Sequence, residues 1–486
     1  MKRIFIIILS IFAVVSVSSQ IYNVRDYGAV SDTTKLSTFA IQKAIDLCTA
    51  NGGGTVLVPA GNYLSSTIYL KDNVDLHIDA GATIYASRKV TDYPKISKLV
   101  GASDFESVEV LLSATDAKNI SLTGKGMLHC RAERYSYQRS EVRAVTDSVT
   151  GREVYNAAQY GADYRTKYKK VPPYTTAVSF TDCYNVHIRD IQVLESSGWS
   201  VHLQWCDRVL VDGIYIESNP INGVNSDGLD IDGCSNVMVS NCNIDTGDDA
   251  LCFKTTMTNG RAEPCRWITV TNCILKSSSA ALKFGTETHA DFENITISNC
   301  VINDANRGLC IIVRDGGTIR NVTMSNMVIH TVRKAPFWWG NGDPLWFTIQ
   351  KRDNAAVAGG IENINIENVI AYGQSGVRIE GFDNIVENIR IRNFQLFMEP
   401  ENAVDKRARD GYLFYGIDGL SLIDCSVKWN TNNSQKEWRK AYSFDNIKNL
   451  ELFRVKGVKA PNSNHETFSF KDIKGLVIDG NEIKNK

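Results

Sequence analysis

Apolar and polar residues alternate along most of this chain with the period of two that marks a β-strand. The pattern recurs in short blocks. NVHIRDIQV begins at Asn185, RVLVDGIYI at Arg208, NVMVSNCNI at Asn236, WITVTNCIL at Trp267, NITISNCVI at Asn294 and NVTMSNMVI at Asn321. Successive blocks start 23, 28, 31, 27 and 27 residues apart. Further copies begin at Asn363, Asn388, Gly419, Asn449 and Gly475. A block of this kind cannot bury its apolar row alone, but stacked copies bury a continuous core. The repeat is shorter than the four-stranded blades of a propeller, with their period of about 40 residues. The pattern therefore predicts an all-β, right-handed, single-stranded parallel β-helix. Asn and Cys recur at equivalent corners and are expected to form ladders inside the solenoid. Only TFAIQKAIDLC shows helical spacing, through Phe39, Ile41, Ala44, Ile45 and Cys48. It is expected to cap the first rung, since an open solenoid end exposes strand edges.

Two stretches break the repeat. Residues 128–174 carry many Arg and Tyr, and residues 332–359 carry Phe337, Trp338, Trp339, Trp346 and Phe347. Long insertions in a solenoid map to loops on one side, often the binding side. Both are expected to be loops beside the site, with Trp338 and Trp339 as candidates for stacking on sugar rings.

At the N-terminus, Lys2 and Arg3 precede an apolar run from Ile4 to Val15, followed by Ser16, Ser18 and Ser19. That order predicts a secretory signal peptide over residues 1–19, too short for a membrane span, and a secreted or periplasmic protein of residues 20–486. The repeats make residues 20–486 a single β-helix domain, expected to be a monomer. The net charge of -1 provides no basic field for nucleic acid. The 12 Cys lie mostly inside apolar strand patterns and form no CxxC pair, so they read as buried hydrophobes rather than as a zinc site or a disulfide framework.

The densest polar segment runs from Asn225 to Lys254 and holds Asp227, Asp230, Asp232, Asp245, Asp248 and Asp249. Asp227 and Asp248 are 21 residues apart, close to one rung. That spacing stacks them on one face, with Asp249 alongside. Three carboxylates so placed repel one another, and one should hold its proton near neutral pH. A protonated and an ionised carboxyl together are the equipment of glycoside hydrolysis. Asp230, Asp232 and Asp245 read instead as turn residues. A calcium site is the competing reading of clustered carboxylates.

These residues carry a resemblance. NVRDYGAVSD with AIQKAID, the glycine-rich stretch from Gly52 to Ile84, DYP at Asp92, NSDGLDIDGCSNV, DTGDDALCFK and FWWGNGDP resemble glycoside hydrolase family 28, the polygalacturonase and rhamnogalacturonase group. The resemblance implies an inverting hydrolase of α-galacturonosyl bonds in pectic polysaccharide or oligosaccharide, without a cofactor or metal. Asp248 would be the general acid. Asp227 and Asp249 would hold and deprotonate water, and Asn225 would orient Asp227. The departures are specific. Ala280 stands at the family's supporting His, and Cys310 and Ile312 stand at its Arg-x-Lys. This points away from plain polygalacturonan and toward rhamnogalacturonan-type or exo-acting cleavage. Lys254, Lys283, Arg307, Arg314 and the basic insertion are candidates for gripping substrate. Two alternatives remain open at this point: a calcium-dependent pectic lyase on the same fold, and a non-catalytic carbohydrate-binding solenoid.

Overall fold

The computed structural model describes residues 20–94, 109–132, 175–219, 223, 225–334, 339–403 and 406–483, with four short strands between 138 and 169. The segment expected to be a signal peptide and Trp338 lie outside the described residues. No described helix is long and apolar enough to cross a membrane.

The alternating blocks stack in parallel as expected. Strands one rung apart pair in register around three faces of a parallel β-helix. One face, here called the site sheet, runs through Thr175–Thr181, Val201–Gln204, Leu229–Asp232, Leu251–Thr255, Ala280–Thr288, Arg307–Val313, Asp343–Ile349 and Val377–Gly381. Its inward residues build columns such as Ile231, Phe253, Phe284, Ile311, Phe347 and Ile379. Phe253 and Phe284 stack with centroids 4.6 Å apart. Inward residues of all three faces merge into one core. Its burial is the main force holding the coils together.

The helix Thr38–Ala50 covers the first rungs with Ala40, Ile41, Ala44, Ile45 and Cys48. Phe39, counted with that apolar face from the sequence, points to solvent. At the other end, Asn481–Ile483 folds back antiparallel on Phe468–Ile478. Among the described residues this pairing covers Leu476–Ile478 alone.

The corners differ from expectation. All 12 Cys are free and buried, and ten of them join the core, but Cys252 and Cys310 lie on the outer side of the site sheet, in the column of Asp230 and Lys283. The Asn residues do not line the interior; their ladders run along the outside. From Asn119 onward, successive rungs bend at two residues with positive φ, five positions apart. Asn236 and Asn241, Asn294 and Asn299, Asn321 and Asn326, Asn363 and Asn368, and Asn388 and Asn393 are such pairs. Asn tolerates this left-handed conformation better than most residues. The bend lays its amide along the solenoid axis, where it bonds the Asn one rung away. Asn321, Asn363 and Asn388 donate at 3.1, 3.2 and 2.7 Å to the Asn before them in the ladder.

Trp267 occupies one of these bends with φ 60 and is 57% exposed. A non-Gly residue in that conformation costs about 1–2 kcal/mol. Trp267→Asn, placed between Asn236 and Asn294, is therefore expected to stabilise the protein by about 1 kcal/mol. A guanidinium denaturation curve checks it. An unchanged or lower midpoint would mean that Trp267 makes contacts that repay its backbone.

The stretch 332–359 is not one loop. Asp343–Ile349 is a rung of the site sheet, with Phe347 inward and Trp346 outward. Its aromatic composition had masked the alternation. Of 128–174, the structure describes beyond the last early rung two antiparallel strand pairs, Gln138–Glu141 with Thr166–Lys169 and Val145–Thr146 with Glu153–Tyr155.

Candidate active site

The site forms where the outer face of the site sheet meets the bend that feeds it. The backbone N–H of Gly228 donates to the carbonyl of Asp249 at 2.8 Å, which draws Asp227 alongside Asp248 and Asp249. The rungs approach so closely here that a β-carbon on Gly228 would lie 2.4 Å from the Ala250 carbonyl. Glycine is the residue that permits this approach. Oxygens of Asp227, Asp248 and Asp249 all fall within 4.8 Å of one another. The predicted trio is therefore real in space.

Each member has a different environment. Asp248 is 7% exposed and accepts from two backbone N–H groups, Asn225 at 2.8 Å and Asp249 at 2.9 Å. Burial, then the charges of Asp227 and Asp249, raise its pKa well above the carboxylate range. Asp249 takes the opposite state. Its burial acts to raise the pKa, but Lys283, Arg307 and Lys254 outweigh it and bring the pKa down to about 2. Its Oδ1 accepts from Ser279 at 2.8 Å and from the Ala280 N–H at 3.0 Å, and Arg307 lies 3.5 Å away. Its Oδ2 accepts from Lys283. Asp227 accepts from Lys254 at 3.1 Å through Oδ2, while its Oδ1 has no hydrogen-bond partner among the described residues. Burial raises the pKa of Asp227 despite Lys254.

Several expectations are corrected by this geometry. Lys254, Lys283 and Arg307, proposed as substrate grips, are buried and hold carboxylates instead. Repulsion within the trio is offset from inside the protein, which is why the cluster is tolerated. The Asn225 backbone serves Asp248 rather than Asp227. Arg314 donates at 3.2 Å to each of the carbonyls of Gln350, Lys351 and Arg352, and its guanidinium lies 5.6 Å from the Trp339 ring centre. Trp339 packs on a small apolar cluster of Ala280, Cys310, Ile312 and Trp346. The positions that depart from the family motif have thus become an aromatic-covered patch on the outer face.

Asp232 and Asp245, expected as turn residues, lie on the strands Leu229–Asp232 and Asn243–Thr246: Asp232 accepts from the Thr256 N–H at 2.8 Å and faces His202 at 3.2 Å, and Asp245 pairs with Lys276 at 3.0 Å. Asp230 also lies on a strand, fully buried and 3.2 Å from Lys254, and closes no turn. Trp199, which the sequence did not single out, covers Lys254 with its ring centre 3.8 Å from Nζ. Beyond Cys310 the outward column continues through Trp346 to Arg378. Arg378 binds Asp343 at 2.8 and 3.0 Å and Glu380 at 3.2 Å, and stacks on Trp346. Nothing in the local sequence marked Arg378, because its relation to the trio exists only through the register of four rungs.

Fold and site together define the class: a parallel β-helix protein with clustered carboxyl groups on the outer face of one sheet. Within it, the chain belongs to glycosyl hydrolases family 28, whose family model matches residues 48–337. It is 27% identical over 301 residues to an exo-poly-α-D-galacturonosidase of Dickeya chrysanthemi, an alignment covering 57% of this chain and 49% of that protein. The chain spans about half the length of the curated relatives it matches. Its fold is shared with a family 28 exopolygalacturonase of Yersinia enterocolitica, at TM-score 0.67 and 20% identity, covering 96% of this chain and 79% of that one. A hyperthermoactive exopolygalacturonase of Thermotoga maritima aligns at TM-score 0.60 and 20% identity, covering 90% and 92%.

Proposed function

We propose that this chain is an exported, monomeric, inverting glycoside hydrolase that cleaves α-galacturonosyl bonds in pectic material, acting from chain ends and favouring rhamnose-containing over plain polygalacturonan chains. The observation that carries the reading is the trio itself, one carboxyl whose pKa is raised by burial and by the charges of its neighbours, with an oxygen within 4.8 Å of two others that face buried cations. Asp248 gives its proton to the leaving glycosidic oxygen as the bond to the anomeric carbon breaks. Water attacks that carbon and passes a proton to Asp227, whose Oδ1 no protein donor occupies. Asp249, saturated with donors, stays ionised and stabilises the positive charge that develops on the sugar.

The 4.8 Å within which one oxygen of each carboxyl falls is a nearest-oxygen distance, not the carboxyl separation by which inverting and retaining pairs differ. The inverting assignment rests instead on hydrogen bonding. Asp249, the carboxylate with the lowered pKa, has both oxygens committed, so it is poorly placed as a nucleophile, whereas Oδ1 of Asp227 is buried and takes no donor from the described residues. The lysines also speak against a lyase. Burial would lower the pKa of Lys254, but Asp227 and Asp230 raise it far above its usual value, so it is a poor base. The patch of Ala280, Cys310 and Ile312 under Trp339 and Trp346 supports a sugar without a carboxylate at that rung. The exo reading is supported by the relative named as an exo-poly-α-D-galacturonosidase. The export reading rests on the N-terminal segment.

Digestion of homogalacturonan, rhamnogalacturonan and short oligogalacturonides, followed by NMR of the first product anomer, tests the proposal. The β-anomer should appear first, as short products of uniform length, and fastest from rhamnose-containing substrate. An α-anomer, or mixed lengths at early times, would overturn inversion or exo action respectively.

A further inference from the structure

One outward column of the site sheet carries Asp232 and Lys254 on neighbouring rungs, and Ile312 and Thr348 further on. Between Lys254 and Ile312 it is interrupted. The step from Phe253 to Thr255 faces the longer step from Phe284 to Thr288, so the strand Ala280–Thr288 bulges there. Gly285 permits the bulge: its φ is 89, and a β-carbon on it would lie 2.3 Å from the Ile312 carbonyl. Bulges beside functional sites re-aim side chains. This one turns Glu287 back toward Lys254, 4.0 Å away.

Glu287 is surplus to the charge balance of the site. With Asp248 protonated, Asp227, Asp230 and Asp249 already balance Lys254, Lys283 and Arg307. Arg352 lies 3.7 Å from Glu287, but Asp315 engages it through both oxygens at 2.6 and 2.8 Å, and it also donates to the Thr286 carbonyl. Arg352 is thus held in place without Glu287. Among the described residues, the carboxyl group of Glu287 accepts one hydrogen bond, on Oε1 from the Thr286 hydroxyl at 3.1 Å. Its Oε2 has only Lys254 at 4.0 Å, and the side chain is 20% exposed. A carboxylate with an open oxygen accepts a sugar hydroxyl and repels a second carboxylate. On this rung and the next, the apolar patch of Ala280, Cys310 and Ile312 offers a substrate carboxylate no cation.

We propose that Glu287 is a specificity-determining residue: it accepts a hydroxyl of an uncharged sugar and turns away a galacturonate carboxylate at the rung beyond Lys254. The inference rests on the hydrolase reading above and names the sugar that this part of the groove takes. Selection of this kind works by repulsion as much as by attraction.

Glu287→Gln keeps the shape and removes the charge. On trigalacturonate at low salt, its kcat/KM should rise roughly tenfold, between the worth of a solvated charge pair and the cost of a like-charge contact. Added salt should shrink that rise, because screening already weakens the repulsion in wild type. On rhamnose-containing oligosaccharide, KM should increase several-fold with kcat held, since a hydrogen bond to a charged acceptor is about twice as strong as a neutral one. The melting temperature should not move. No rise on trigalacturonate, a rise that salt leaves intact, or the same factor on both substrates would overturn the proposal. If wild type cleaves neither substrate, the hydrolase reading fails by itself. Calorimetric binding of trigalacturonate then decides the repulsion: tighter binding to Glu287→Gln supports it, and equal binding overturns it.

Discussion

Asp248→Asn is expected to lower kcat on the best pectic substrate by about 10²–10⁴-fold, the usual worth of a general acid, with little change in KM. Amide and carboxylic acid have nearly the same shape, so the loss would report the missing proton. Stability should respond in a pH-dependent way. Asn presents one acceptor where Asp248 presents two to the N–H groups of Asn225 and Asp249, a loss of about 1–3 kcal/mol for a buried donor. Against this stands the raised pKa of Asp248. A raised folded-state pKa makes its contribution to stability complete below the unfolded value, near 3.8, and progressively lost as pH rises toward the folded value. Asn does not titrate. The variant should therefore be clearly less stable than wild type near pH 4 and close the gap toward pH 7, as melting curves at the two pH values would show. A kcat within tenfold of wild type would remove Asp248 from the acid role.

How much of this was readable beforehand follows from what alternation encodes. It tells which side chains point in and which point out, so the rungs, the core columns and the grouping of Asp227, Asp248 and Asp249 were legible. It does not encode which outward side chains meet across rungs, because coil lengths vary and each bend resets the register. Lys283 was visible as an outward cation, but its contact with Asp249 depends on Cys252 and Lys283 being register partners. Asp230 was misread for the same reason: its partner is a lysine of the following rung, 24 positions on. The outer Asn ladders were misplaced because a side chain at a left-handed bend does not follow the in-out alternation of a strand.

Lys254→Met should be the most damaging single change to the fold at this site. The methionine would fit the apolar stem's place under Trp199, so packing is largely kept while the charge goes. Removing one partner of a buried ion pair costs about 3–5 kcal/mol, mostly through the partner left behind, and here two carboxyls are left. The raised pKa of Lys254 means that its contribution is complete below the unfolded lysine value of about 10.4 and is lost only as pH climbs through the higher folded value. Between pH 4 and 9 the lysine is thus a constant, and the pH dependence of the variant must come from Asp227 and Asp230. Both carboxyls already titrate above their usual range. Without the ammonium they move higher, so the stability gap should be small near pH 4, where both take protons readily, and should widen toward pH 7. Activity should follow, with the acidic limb of the kcat profile moving to higher pH as Asp227 becomes harder to ionise. Guanidinium unfolding at pH 4 and 7 measures the gap. A loss below about 1 kcal/mol at pH 7, the range of a solvated surface pair, would mean that Lys254 is not the buried counter-ion on which the electrostatics of this site depend.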